Sequence, residues 1–233
     1  MLKANEQSKG IPEWGCKLDF SPAASEVLHD FCGQHEILGA VCPNCNKPLL
    51  RLLSLHSKDP LLNFDHKRHP SVHLLYCWTC SIPYGEFSYE INADGSIKLL
   101  EIPPRQPESE FGPEGPYDGY TGVFTARHVA LKPLSDAEQR QLKARQGENA
   151  PDDIDGYFGH QVGGYPFIYN PWKAFCPKCS KEMPVLAAIC DSATGNNHFS
   201  DESGETFTGN SGVQMVFQFC RDCSVISAYH SCD

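Results

Sequence analysis

Cys42-Pro43-Asn44-Cys45-Asn46-Lys47 and, far downstream, Cys176-Pro177-Lys178-Cys179-Ser180-Lys181 share both cysteines, the proline and the closing lysine. The agreement continues beyond them. Leu52 falls on Leu186 and Leu55 on Ile189, so each motif leads into an apolar segment of similar length. Further on, Tyr76-Cys77-Trp78-Thr79-Cys80-Ser81-Ile82 lies over Phe219-Cys220-Arg221-Asp222-Cys223-Ser224-Val225, with the aromatic, both cysteines and the serine in register. The chain is therefore a duplicated unit. Residues 46–76 separate the inner cysteines of the first copy, and residues 180–219 those of the second.

Each copy reads as β structure. Val213, Met215, Phe217 and Phe219 alternate with Gln214, Val216 and Gln218, the period of a strand with one buried face, and Val72, Leu74 and Tyr76 repeat it in the first copy. After Cys80, Phe87, Tyr89 and Ile91 alternate in the same way. Asp94-Gly95 then permits a tight turn into residues 97–102, which predicts a hairpin. Between the copies, residues 103–116 carry Pro103, Pro104, Pro107, Pro113 and Pro116, too many for a sheet ladder or a helix, and read as a linker. Ser135-x-x-Glu138 has the form of a capping box, with helix formers from Ala137 to Arg145. A second short helix is expected from about Pro22 to Phe31, where Val27, Leu28 and Phe31 would share a face. The expected organisation is a first repeat over 1–102, a linker and helix over 103–150 and a second repeat over 151–233. The fold class is a β-rich α+β chain of internally duplicated antiparallel sheets with two four-cysteine sites and one or two helices.

The cysteines carry the chemistry. Two residues between cysteines let both sulfurs face one ion, and a tetrahedral ion needs two such pairs. Four pairs are present, and local closure assigns Cys42, Cys45, Cys77 and Cys80 to one zinc ion and Cys176, Cys179, Cys220 and Cys223 to a second. Crossed pairing between the copies is the alternative, and four thiolates also suit iron. A thioredoxin-type redox role for Cys-x-x-Cys needs the pair at a strand-to-helix junction, whereas strand follows each pair here. Cys16, Cys32, Cys190 and Cys232 read as small buried residues or idle thiols, and His66, His69 and His73 as surface or loop residues.

Composition bounds the function classes. The 233 residues hold twelve cysteines and a formal charge of −10. Two filled tetrathiolate sites take that charge to about −14. A field of that sign repels phosphate backbones and disfavours a nucleic-acid partner. Many cysteines without a signal-peptide core in residues 1–10, and no apolar run near the roughly 20 residues of a membrane span, lead to the expectation of a cytoplasmic, zinc-binding protein that does not cross a membrane. No nucleophile elbow, His-Glu-x-x-His helix or phosphate-binding glycine loop occurs, and closed thiolate sites offer no open coordination position. The expectation is a non-enzymatic protein.

One dense motif lies outside the cysteines: Gly159-His160-Gln161-Val162-Gly163-Gly164-Tyr165-Pro166. Its paired glycines permit a tight turn or close backbone approach, and His160, Gly163, Gly164, Tyr165 and Pro166 are candidate partner-binding residues. With Cys176-Pro177-Lys178-Cys179 and Gln218-Phe219-Cys220-Arg221-Asp222-Cys223, this motif resembles the YwqG-like family, a bacterial domain related to the programmed cell death protein 2 family. No second Gly-Gly-x-Pro precedes Cys42, where Leu38-Gly39-Ala40-Val41 stands. The resemblance implies a β-rich duplicated fold that binds a protein, either as an escort for a newly made client or as an immunity protein against a toxin. An acidic chain suits a basic protein partner in either role. A zinc-ribbon nucleic-acid binder and a thiol redox enzyme are the alternatives.

Overall fold

The computed structural model describes residues 15–24, 26–62, 64, 65, 68–77, 87–102, 124–145, 160–164, 172–190 and 213–232. Its elements are β1 (Cys16–Asp19), β2 (His29–Phe31), β3 (Leu50–His56), β4 (Ser71–Tyr76), β5 (Phe87–Ile91), β6 (Ile97–Glu101), β7 (Arg127–Pro133), α1 (Asp136–Arg145), β8 (His160–Val162), β9 (Val185–Cys190), β10 (Val213–Cys220) and β11 (Val225–Cys232). The eleven strands form one curled sheet in the order β4-β3-β2-β7-β1-β8-β9-β10-β11-β5-β6. All its described pairings are antiparallel.

The period-2 segments form strands as expected. β4 and β10 occupy matching places, and β5 and β6 are joined through the turn at Gly95, whose φ of 82° is the left-handed conformation that glycine supplies without strain. The capping box closes α1: the Glu138 amide donates to the Ser135 hydroxyl at 3.3 Å, and the Ser135 amide donates back to the Glu138 carboxylate at 2.7 Å.

Two expectations are corrected. The described residues of 22–31 form no helix. The Glu26 amide donates to the Ala23 carbonyl and the Glu26 carboxylate accepts from the Ala23 amide, which closes a turn, and His29–Phe31 then runs as a strand with His29 and Phe31 buried. Leu28 stays 40% exposed and shares no buried face with its neighbours. β10, expected to bury one face, buries both: Gln214, Val216 and Gln218 are as enclosed as Met215 and Phe217, because the sheet curls over them. The glutamine at 218 is satisfied locally, its side-chain oxygen accepting from the Ala174 amide at 3.0 Å and its nitrogen donating to the Trp172 carbonyl.

The duplication is visible in the sheet order. From the central pair β7 and β1, the strands β2, β3 and β4 of the first copy run outward on one side, and β8, β9 and β10 of the second run outward on the other. The central strands are exchanged: β1 opens the first copy in sequence yet pairs with β8, and β7 precedes the second copy yet pairs with β2. Both copies contribute to a shared ladder, in which Asp19 opposes Ala130 and Leu18 opposes Leu131. At the far end β5 of the first copy pairs with β11 of the second. The curl also brings β4 onto β11, where the Tyr76 hydroxyl lies 2.6 Å from His230 Nδ1.

Candidate metal centres

The two cysteine turns repeat down to single hydrogen bonds. The Cys42 amide donates to the Lys47 carbonyl and the Asn46 amide to the Cys42 carbonyl, as the Cys176 amide does to Lys181 and the Ser180 amide to Cys176. Asn46 and Ser180, the residues after each second cysteine, take left-handed φ values of 57° and 58°. Val41 with Pro48 and Phe175 with Glu182 form matching bridges beneath them. These turns aim the sulfurs of each pair the same way, and a strand end brings the partner pair: β4 delivers Cys77 and β10 delivers Cys220.

The sulfurs of Cys176, Cys179, Cys220 and Cys223 all lie within 4.8 Å of one another, as do those of Cys42, Cys45 and Cys77. Clustering is therefore within each copy, as local closure predicts. Cys80 lies outside the described residues. The sulfurs bridging the pairs, Cys45 with Cys77 and Cys179 with Cys220, are each 3.7 Å apart. A disulfide would bring them to about 2.05 Å. A tetrahedral ion held at roughly 2.3 Å by four sulfurs sets them about 3.8 Å apart, so the observed spacing fits a metal-holding site.

Electrostatics at the second cluster point the same way. A hydrogen bond from the Lys181 amide, the leading cause, draws the Cys179 thiol below its ordinary value, while desolvation raises Cys220 and pushes Cys223 up to about 12. Four thiolates cannot share this space without a cation among them. Bound metal would replace the proton competition and keep all four sulfurs ionised.

The glycine motif holds the fold beneath the cluster. His160 is 5% exposed, set against the rings of Phe20 and Phe31, and its Nδ1 accepts from the Cys190 amide at 3.3 Å. Gly163 and Gly164 are left-handed, at φ 68° and 70°. The Gly163 amide donates to the Leu186 carbonyl, which a bulge in β9 frees from the ladder. Tyr165 and Pro166 lie outside the described residues.

A second copy of this motif exists, and the sequence reading missed it. His29-Asp30-Phe31-Cys32-Gly33 occupies the equivalent place. His29 Nδ1 accepts from the His56 amide at 3.0 Å, Cys32 and Gly33 are left-handed, and the Cys32 amide donates to the carbonyl of Leu52, the bulged residue of β3. Cysteine in place of the first glycine hid the match; a search for histidine three residues before a small residue and glycine would have found it. His29 Nε2 additionally bonds the buried Asp59 carboxylate at 3.0 Å.

The remaining candidates divide. Cys16, Cys32 and Cys190 are buried, with burial pushing the Cys16 thiol up to about 12 and raising Cys32 further, as expected of inert thiols. Of the histidines expected at the surface or in loops, His69 lies in the loop before β4 but is buried, and His73 is half-buried on a strand. His69 is 4% exposed, with its Nε2 3.4 Å from the Ser224 hydroxyl, and His73 is on β4 bonded to Ser54. His66 lies outside the described residues. No helix among the described residues is long and apolar enough to cross a membrane. No protein-family model, curated protein or solved structure matches the chain.

Proposed function

We propose that this chain is a zinc-stabilised, non-enzymatic module that binds a basic protein, and that it works in the reducing cytoplasm. The observation that carries the reading is a repeated apolar display. Leu38 and Val41 stand four and one residues before Cys42 at 73% and 50% exposure, and Trp172 and Phe175 stand four and one residues before Cys176 at 47% and 59%. Duplication has preserved two solvent-facing anchors beside each metal cluster, positions where burial would stabilise the chain and solvent exposure does not. A partner protein docking on them would bury these side chains in both copies.

The other supports are chemical. A four-sulfur cluster leaves no coordination position for catalysis, and zinc is the ion that such sites most often hold in a structural role. The acidic charge of −10 favours a basic partner through complementarity and faster encounter. Cysteines kept as thiols for metal binding suit a reducing compartment. The resemblance to the YwqG-like family implies a client-escort or immunity role, and either would be carried out by binding a protein. Strand addition at a sheet edge is less favoured than docking on the apolar pairs: Tyr89 occupies the edge of β4, and the Ile97 amide of β6 is taken by the Leu38 carbonyl.

Affinity capture at several salt concentrations, read by mass spectrometry, tests this. The expected result is one basic protein retained by the native chain and lost from a Leu38→Asp, Val41→Asp, Trp172→Asp, Phe175→Asp variant that keeps its metal. Recovery of the chain alone, or a steeply salt-dependent nucleic-acid affinity instead, overturns it.

A further inference from the structure

The two metal clusters differ in what they touch. Around the first, the Leu49 amide closes on Ala40 and the Ile97 amide on Leu38, both within its own copy, while Tyr76, next to Cys77, meets His230 of the second. The second is wrapped by the other copy. The Arg68 guanidinium donates to the Asp222 carbonyl at 2.5 Å, between Cys220 and Cys223. Arg221 lies over the Phe64 ring at 5.1 Å and reaches the Leu62 carbonyl at 3.5 Å. Phe64 packs edge-on against Phe219, and the Ile91 amide donates to the Ser224 carbonyl at 2.8 Å. Lys178, inside the Cys176 turn, pairs with Glu90 at 2.7 Å.

The copies meet at two junctions, each built on a backbone ladder, and only one of them adjoins a metal cluster. At the exchanged strands β1 and β7 they are joined by a backbone ladder over buried Leu18, Val129 and Leu131, with no metal ligand involved. At the far end they are joined by the ladder of β5 with β11 and, beside it, by the turn of residues 220–224, which carries Cys220 and Cys223. Ser224 takes a left-handed φ of 62° there, and its carbonyl is the acceptor for Ile91. A non-glycine residue keeps that conformation only while its surroundings enforce it.

We propose that the second metal centre is a latch between the copies: filled, it holds Leu62, Phe64, Arg68 and β5 of the first copy against the second; emptied, it releases them while the exchanged strands keep the chain together. Release would uncover Phe64, Phe219 and the edges of β5 and β11, a local opening of the kind that changes what a binding surface presents. This inference rests on the metal-binding reading of the preceding subsection.

Native mass spectrometry first counts the metal, and hydrogen exchange then reads the opening. In the zinc-loaded full chain, Cys223→Ser is expected to keep one ion and to speed exchange by about tenfold or more in peptides over 61–69, 87–91 and 220–228, with β1, β7 and β8 unchanged. Cys45→Ser, which also keeps one ion, should leave 61–69 and 220–228 as in the native chain. Arg221→Ala, which keeps both ions, should loosen 61–65 alone. Equal patterns from the two cysteine variants overturn the latch. So does deprotection of β1 and β7 by Cys223→Ser, which would make the centre a support of the whole fold. A native chain that holds no metal overturns both the latch and the zinc-stabilised module, whereas two ions with unchanged exchange in 61–69 overturns the latch alone.

Discussion

The Tyr89 hydroxyl accepts a hydrogen bond from the Leu75 amide at 2.8 Å and donates one to the His73 carbonyl at 2.7 Å. These two backbone groups face away from β3, on the side where β4 ends the sheet, and a neighbouring strand would otherwise bond them. One buried side chain from β5 therefore stands in for a strand. It is the curl of the sheet that carries β5 to this place, so a long-range feature of the fold closes a local hazard, the unpaired edge that invites pairing with another chain. Tyr89 is fully buried, and burial raises its hydroxyl well above the ordinary tyrosine range, so it stays protonated and able to donate at every pH of interest.

Removing that hydroxyl leaves a buried amide and a buried carbonyl without partners. Tyr89→Phe is expected to lower stability by about 1–3 kcal/mol, the usual cost of an unsatisfied buried polar group, at nearly constant volume. Urea unfolding should show a lower midpoint with an unchanged slope, together with faster exchange of the Leu75 amide. Wild-type stability in the variant would mean that water reaches the β4 edge.

Metal content is the most direct measure of the two clusters. The native chain is expected to bind two zinc ions, Cys176→Ser one, and Cys176→Ser combined with Cys42→Ser none. Structural zinc can contribute roughly 10–16 kcal/mol of apparent binding energy in small modules, comparable to the stability of a whole domain. Chelation should therefore collapse the near-ultraviolet dichroism, and an unchanged spectrum in a metal-free sample would contradict a structural role.

Much of the site was legible in the sequence because it depends on local spacing. Two residues between cysteines determine where sulfurs can point, and the repeated Cys-Pro-x-Cys turns reproduce each other down to the φ of Asn46 and Ser180. The strands read from alternation were found where Phe217 and Leu74 place them. What could not be read was set by long-range pairing. Nothing in Cys16–Asp19 says that it will leave its own copy for His160–Val162, since either neighbour offers the same ladder of backbone groups. The second glycine motif was hidden because Cys32 adopts at φ 55° what Gly163 adopts freely, a choice sustained by tertiary contacts and not by propensity. Residues 22–31 looked helical by the spacing of Val27, Leu28 and Phe31, but the buried bond of His29 to Asp59 rewards a strand.

Glycine substitutions separate conformation from contact. At Gly39, with φ 83°, an added Cβ would lie 2.1 Å from the Ile97 carbonyl oxygen, the strand that Leu38 bonds. At Gly95, with φ 82°, the nearest atom to such a Cβ is His73 Nε2 at 3.9 Å, an ordinary contact. Gly95→Ala should cost only the left-handed conformation, about 1–2 kcal/mol. Gly39→Ala adds a backbone collision and should cost clearly more, with increased exchange at the Ile97 amide. Equal midpoints in thermal or urea unfolding would show that the 36–40 segment can withdraw from β6 without loss.

His73 gives the chain a calculable acid sensitivity. Burial is the main cause that pushes its imidazole down to about 4, with the positive charge of Arg51 second, and Ser54 bonds its Nδ1 at 2.8 Å. The unfolded chain binds this proton near the ordinary histidine value of about 6.5, so between the two values the unfolded state holds more protons than the folded one. Stability contributed by the neutral ring is therefore complete above about pH 6.5 and is lost progressively as the pH falls to about 4. The total is at most on the order of 3 kcal/mol. Cysteine protonation weakens metal binding over part of the same range, so the comparison must be differential. His73→Gln keeps a partner for Ser54 but cannot titrate. Urea unfolding at pH 7.5 and 5.0, with saturating zinc, should show a smaller acid-induced loss in the variant than in the native chain. Equal losses in both would assign the acid sensitivity to the metal centres alone.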